Sequence, residues 1–247
     1  MLQKLSVAGG MISLALMLIS CSTAPPQAEV EPTEAPATET PAPTVVPTLD
    51  LSVEELNQQM FEAIRNDDAE QISLLIASGA DIETEDPGTG ATPLIIASYR
   101  GDVAVIETLL SAGADINSTD RGGITPLMGA AQFGHAALIS ILLEAGADLE
   151  TLSSSGYHQN ALHFAAQKGH PEVVEALLNA GANVDALENT HSTALMYAAY
   201  WGHTEVVEIL LEHGADTTIL DNGGQTAAEW AERRGFAEIA QLIGTTE

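Results

Sequence analysis

Cysteine is almost absent from this chain: there is one in 247 residues, at position 21. A lone thiol closes no internal disulfide, builds no cysteine zinc cluster and forms no C-x-x-C redox pair. Basic residues are scarce as well, with seven Lys and Arg against 35 Asp and Glu and a formal net charge of −28. Such a chain is repelled by nucleic-acid phosphates and anionic headgroups, which argues against either as a ligand. Aromatics make up only 4%, so a core must be assembled from Leu, Ile, Val and Ala. Catalytic signatures are missing too: there is no H-E-x-x-H, no G-x-S-x-G and no phosphate loop. Gly88-Thr89-Gly90 comes nearest to a nucleotide fingerprint, but it lacks the third glycine and reads as a turn. No enzymatic activity, cofactor or metal is expected.

What the chain does have is a period. One set of glycines falls at 79, 113, 146, 181 and 214, and a second at 101, 134, 169, 202 and 235. Successive members stand 33 to 35 residues apart, and each second-set glycine precedes the next first-set one by 12 residues. Length variation is thus confined to the junctions between units, where a solenoid tolerates insertions. The stretch Asn160–Asp185 shows one unit. Asn160 is placed to cap a helix, Leu162, Ala165 and Ala166 form a narrow stripe of small apolar residues, and Gly169 is placed to end that helix. Pro171 opens a second helix, whose Val173, Val174, Leu177 and Leu178 form a wide apolar face ending at Gly181. Neither helix buries its face alone, so units must stack.

The period, the Thr-Pro-Leu openings at Thr92 and Thr125 and the L-L-x-x-G-A-D closes resemble ankyrin repeats. The resemblance covers about residues 52–247 and implies an all-α solenoid of helix-turn-helix repeats with short β-hairpin-like junctions. Four full repeats span about 87–221, between an N-terminal cap (51–86) and a C-terminal cap (222–247), within a domain of residues 50–247. Departures are local: Asn160-Ala161 and Thr193-Ala194 lack the proline, only His163 keeps the family's T-P-L-H histidine, and Asp67 stands where glycine is usual. His135, His170 and His203 follow the helix-ending glycine, as is ordinary in the family. His158 and His191 occupy near-equivalent junction positions, but two ligands fall short of the three or four that zinc requires. Asp81, Asp115, Asp148 and Asp216 belong to the G-A-D turn and are read as structural; the remaining acids are mostly read as solvated outer faces.

The first 20 residues resemble a bacterial lipoprotein signal: Lys4 is the only charge, Met11–Ile19 is a short apolar run, and Leu18-Ile19-Ser20-Cys21 resembles a lipobox. The resemblance makes Cys21 the acceptor of a diacylglycerol. The alternatives are a plain signal peptide or an uncleaved anchor helix, though the run falls short of the ~20 residues of a comfortable span. Ser22 rather than Asp after the cysteine resembles lipoproteins sent to the outer membrane of a two-membrane bacterium; in a single-membrane one the protein would sit on the cell's outer face. Residues 21–49 then form a disordered tether rich in Pro, Ala, Thr and Glu, with seven prolines from Pro25 to Pro47. In extended polyproline conformation it reaches roughly 80 Å.

After Cys21 only six basic residues remain, and five of them fall in the last two positions of the first helix of a unit. Those positions read Arg65-Asn66, Tyr99-Arg100, Gln132-Phe133, Gln167-Lys168, Tyr200-Trp201 and Arg233-Arg234. The family resemblance implies that they face a concave groove that holds partners. A cation near a helix C-terminus also has a dipole rationale, so the basic residues fit structure and binding equally. Tyr200-Trp201 has no capping rationale and points to binding. Arg121 falls at a junction fingertip, and the longer third junction adds Tyr157 and His158. The expected function is a monomeric, envelope-localised, lipid-anchored protein that binds another protein, of basic character if charge selects it. An immunity-like or inhibitory protein and an envelope scaffold or spacer are the alternatives.

Overall fold

The computed structural model describes residues 49–154 and 156–245, so the leader, Cys21 and the tether to residue 48 lie outside the described residues. Among the described residues twelve helices follow one another in six pairs. The pairs are α1 (Val53–Arg65) with α2 (Ala69–Ala77), α3 (Pro93–Arg100) with α4 (Val103–Ser111), and α5 (Pro126–Phe133) with α6 (Ala136–Glu144). They continue as α7 (Ala161–Lys168) with α8 (Pro171–Asn179), α9 (Ala194–Trp201) with α10 (Thr204–Glu212), and α11 (Ala227–Arg234) with α12 (Ala237–Gly244). The odd-numbered helices pack side by side in one layer, backed by the even-numbered ones in a second. This is the expected all-α solenoid. No described residue is in a strand.

Each first helix begins where the sequence supplies a cap. Thr92, Thr125 and Thr193 lie in extended backbone and accept the N–H three residues on, while Ser52, Asn160 and Thr226 form reciprocal capping boxes. Small buried residues then let neighbouring first helices approach: Ala97, Ala130, Ala131, Ala165, Ala166, Ala198, Ala199 and Ala231. The second helices supply the bulk, with triplets such as Val105-Ile106-Leu109, Leu138-Ile139-Leu142 and Val173-Val174-Leu177 fully buried. Each buried Val, Leu or Ile contributes about 1.5–3 kcal/mol relative to exposure.

Gly169 closes α7 at φ +76°, and a Cβ there would lie 2.5 Å from the His203 ring. The ring sits there because its Nε2–H donates to the Gln167 carbonyl at 3.2 Å. His170 does the same to the Gln132 carbonyl (3.1 Å) and His135 to that of Tyr99 (2.9 Å). The histidine after the helix-ending glycine is therefore an inter-repeat link. The departure at Asp67 also has a structural reason. Its φ is +55°, and its carboxylate receives both Nε and Nη2 of Arg100 in the next repeat, each at 2.9 Å.

Two further ladders join the units. At the G-A-D turns, Asp81, Asp115, Asp148 and Asp216 each accept the N–H two residues on. Each repeat also passes one main-chain N–H back to a side chain of the repeat before it: Asp115 to Glu83 (2.7 Å), Asp148 to Asn117 (3.0 Å), Asn183 to Glu150 (2.8 Å) and Asp216 to Asp185 (2.9 Å). Glu83, Glu150 and Asp185 are thus inter-repeat acceptors, not the idle solvated acids suggested by their sequence positions. At the junctions, fingers are closed by Asp86 N–Ala91 O, Asp120 N–Ile124 O, Ser153 N–Gln159 O, Glu188 N–Ser192 O and Asp221 N–Gln225 O. Neighbouring fingers bond tip to tip, from Arg121 N to Thr89 O through to Asn222 N to Thr190 O. The junctions are hairpin-like in this limited sense, as tight turns closed by one or two main-chain bonds without a strand ladder.

His163 is fully buried in α7, with Nε2 donating to the Ser192 carbonyl of the next junction at 3.2 Å. Burial pushes its pKa below the ordinary value of 6.5, outweighing the neighbouring Ser192 carbonyl and Glu188 charge. The unfolded chain therefore takes up this proton first as pH falls, so stability is full above about 6.5 and declines below it toward the depressed native pKa. Urea midpoints measured between pH 7.5 and 5 should fall, and His163→Gln should lower the midpoint at pH 7.5 while flattening that decline.

Candidate functional site

The variable pair that ends each first helix faces the finger side, and its members behave unequally. Gln132, Gln167 and Tyr99 are half-buried, with their carbonyls engaged by the histidine links. Tyr99 packs edge-to-face on Phe133 at 5.5 Å and leans over Gly129, where a Cβ would meet its ring at 3.2 Å. Burial, reinforced by the Asp120 carboxylate, raises its phenol pKa well above 10. Phe133 remains 53% exposed. Arg100 is held by Asp67, and Arg121 gives Nη1 to the carbonyls of Pro87 and Gly88 on the preceding finger, both at 3.0 Å. Arg233 bonds the Gln225 side chain. Lys168 is exposed.

Arg234 has a specific task. Phe236 stands where a histidine would, its ring over Gly202, and cannot donate to the Tyr200 carbonyl. Arg234 Nε donates there instead at 3.3 Å, which lays its guanidinium 4.6 Å over the Tyr200 ring and 5.9 Å from that of Trp201.

Around this point lies a half-enclosed cleft of about 310 Å³, lined by Tyr157, Gln167, Thr190, Tyr197, Tyr200, Trp201 and Trp230. Its rings meet nearly at right angles: Tyr200–Trp201 at 5.3 Å, Tyr200–Trp230 at 5.6 Å and Tyr197–Trp230 at 5.9 Å. Tyr197 stacks edge-on against buried His163. Burial first, and then Glu188, raise the Tyr197 phenol pKa well above 10. Behind it Gln159 is buried, its side-chain amide against that phenol. Trp230 Nε1 donates to Asp221 Oδ2 at 3.0 Å. Glu188, itself buried, accepts from Thr190 and Ser192. A larger depression of about 540 Å³ over α2 and α4 is lined, apart from Ile76, by small or polar side chains without an aromatic.

The arrangement of paired helices and fingers agrees with comparison to known proteins. Family models for ankyrin repeats match residues 60–153 and 162–245 (three copies) and 130–178 (many copies). The chain belongs to the ankyrin-repeat family. The longer match breaks across residues 154–161, over the longest finger of the array and the start of α7. One curated relative, the ankyrin repeat and KH domain-containing protein mask-1 of Caenorhabditis elegans, is 33% identical over 65 residues. That segment is 25% of this chain and 2% of the relative, so the chain spans a very small part of that protein. Ankyrin arrays are typically non-catalytic scaffolds for protein–protein interaction, and among the described residues no group of three or more His, Cys, Asp or Glu could hold a metal ion.

The array therefore brings Gln167, Tyr200, Trp201 and Tyr157 to one cleft and leaves Tyr99 and Phe133 as a separate pair further along the same side. His158 is exposed at φ +58° on the third finger, outside the cleft lining. Sequence reasoning missed Tyr197 and Trp230, while Thr190 lies in the junction 188–192, one of those read as part of the candidate surface. Tyr197 and Trp230 were detectable, because they precede Tyr200 and Arg233 by three residues and share their helix face. Replacing Arg234 by Leu removes the hydrogen bond and the ring contact together. It should destabilise the last repeat by about 1 kcal/mol, read as faster hydrogen exchange in α11 and α12 with little change in α3–α6.

Proposed function

We propose that this chain is an exported, lipid-anchored, non-catalytic ankyrin-repeat protein that recognises a protein partner with the finger-side face of its first helices. The observation that carries the proposal is the concentration of aromatics there. The chain has two Trp and four Tyr, and both Trp and three of the Tyr line the one cleft described above. Trp201 keeps 47% of its surface exposed at the end of α9, where helix capping does not require it. Exposed Trp and Tyr on a rigid frame are what interfaces use as anchors, and a stack already ordered by its repeats loses little entropy when it binds.

Charge supports a basic partner. A net charge of −28 accelerates encounter with cations and makes binding fall with salt. Export and anchoring rest on the leader, the apolar run and the lipobox-like sequence ending at Cys21. A lipid at that cysteine leaves the array without any thiol, in keeping with a fold held by stacking.

Two measurements test this. In a pull-down from envelope extract, the full chain should retain a partner that folded Tyr200→Ala/Trp201→Ala loses. A partner held equally by both would remove this face as the site. Separately, metabolic labelling with a fatty-acid analogue should mark the parent chain and not Cys21→Ser; equal labelling would refute the anchor.

A further inference from the structure

We infer that the aromatic cleft of α9 and α11 is a cage for a cationic side chain, the lysine ammonium or arginine guanidinium of a basic protein partner. This rests on the protein-binding function proposed above and supplies the chemistry of its central contact. Five rings line the cleft, from Tyr157, Tyr197, Tyr200, Trp201 and Trp230, and none is phenylalanine. The measured pairs among them meet at 70–83°, so ring faces and edges form walls at right angles rather than a flat stack. Faces of Trp and Tyr attract cations through the ring quadrupole, most strongly for Trp.

Charge placement favours the same ligand. Among the described residues no charged side chain lines the cleft, so a guest meets no salt-bridge partner there and is selected by the rings. Two carboxylates lie immediately behind them. Asp221 accepts the Trp230 indole N–H, which enriches that ring's electron density, and Glu188 is buried beneath Thr190. Three cations stand near the walls without lining the cleft: Lys168 follows Gln167, Arg233 shares the Trp230 helix face and bonds the Gln225 side chain, and Arg234 is held by the Tyr200 carbonyl. Its position 4.6 Å over Tyr200 shows that a ring of this set already holds a guanidinium. About 310 Å³ accommodates the head of one side chain, not a folded element. A phosphate or carboxylate would face electron-rich rings with two acids behind them, and is disfavoured.

Both tryptophans of the chain line this cleft, so its entire tryptophan emission reports on the site. The full chain, purified in a non-ionic detergent, is titrated with tetramethylammonium chloride at constant ionic strength, beside tert-butyl alcohol as a neutral probe of similar shape. A saturable change with the cation and none with the alcohol is expected. Trp201→Leu, with Trp230 as the remaining reporter, should weaken the cation by about fivefold or more. Tyr157→Ser, on an exposed finger where folding is not at risk, should weaken it by about twofold. An equal response to the alcohol, or no saturable response to the cation, overturns the cage. If the pull-down partner is still lost from Tyr200→Ala/Trp201→Ala in that case, the protein-binding function stands and only its cationic chemistry falls.

Discussion

A helix of eight or nine residues does not persist alone in water, because nucleation costs more than two turns of hydrogen bonds return. Eleven of the twelve helices described here are that short. Everything else in the molecule depends on how one pair is held to the next. Apolar burial supplies most of the free energy but not the register, since Leu, Ile and Val on stacked helices slide at little cost. Register comes from directional links that recur along the array. A histidine ring reaches back to a carbonyl of the preceding first helix, a turn N–H reaches back to an acid or amide, and finger tips bond main chain to main chain. Because these links use different atoms at opposite edges of a repeat, they fix its rotation as well as its spacing.

The acidity of the chain follows partly from the same requirement. Glu83, Glu150 and Asp185 serve as acceptors for the next repeat, while Asp86, Asp120, Glu188 and Asp221 close finger turns by accepting their N–H groups. A carboxylate is the natural choice for such roles, offering two oxygens and no competing donor. Hydrogen bonds to the ionised form also hold its pKa down, as Thr89 and Gly88 do for Asp86 and Thr218 does for Asp216. Part of the negative field thus arises from groups that organise the backbone, and these acids are already fixed in place.

The architecture was legible because it is periodic. Glycines at fixed steps, Thr-Pro-Leu openings and the 12-residue spacing identify the helices, caps and number of units. The aromatic pair Tyr200-Trp201 was legible because its position within the repeat was known. What a single repeat does not reveal is how neighbours meet. Tyr197 reads as an ordinary core aromatic and Trp230 as part of a cap, yet they complete the cleft only when α9 and α11 lie side by side. Arg234 reads equally as a dipole partner or a binding residue; its role appears once Phe236 is seen to fill the histidine's space without its donor. Asp67 stands where glycine is usual, and the reason is Arg100, 33 residues away, which bonds its carboxylate.

The position of the cleft has a consequence for stability. In a solenoid each unit is held largely by its nearest neighbours, so opening one unit breaks whatever its interface with the next one builds. Trp230, one of the cleft walls, and Arg234, which supports Tyr200, both come from α11, in the last of the described pairs. Opening that unit therefore dismantles the cleft without disturbing α3–α8. The coupling also runs in reverse, because a ligand that binds only the closed form stabilises it by mass action. The replacement of the histidine link by Phe236 and Arg234 falls at this same interface, so the step where the regular inter-repeat bond is changed is also the step that builds the cleft. A frame with identical links throughout would have set a histidine ring against α9 here. It would have had no guanidinium to lay over Tyr200.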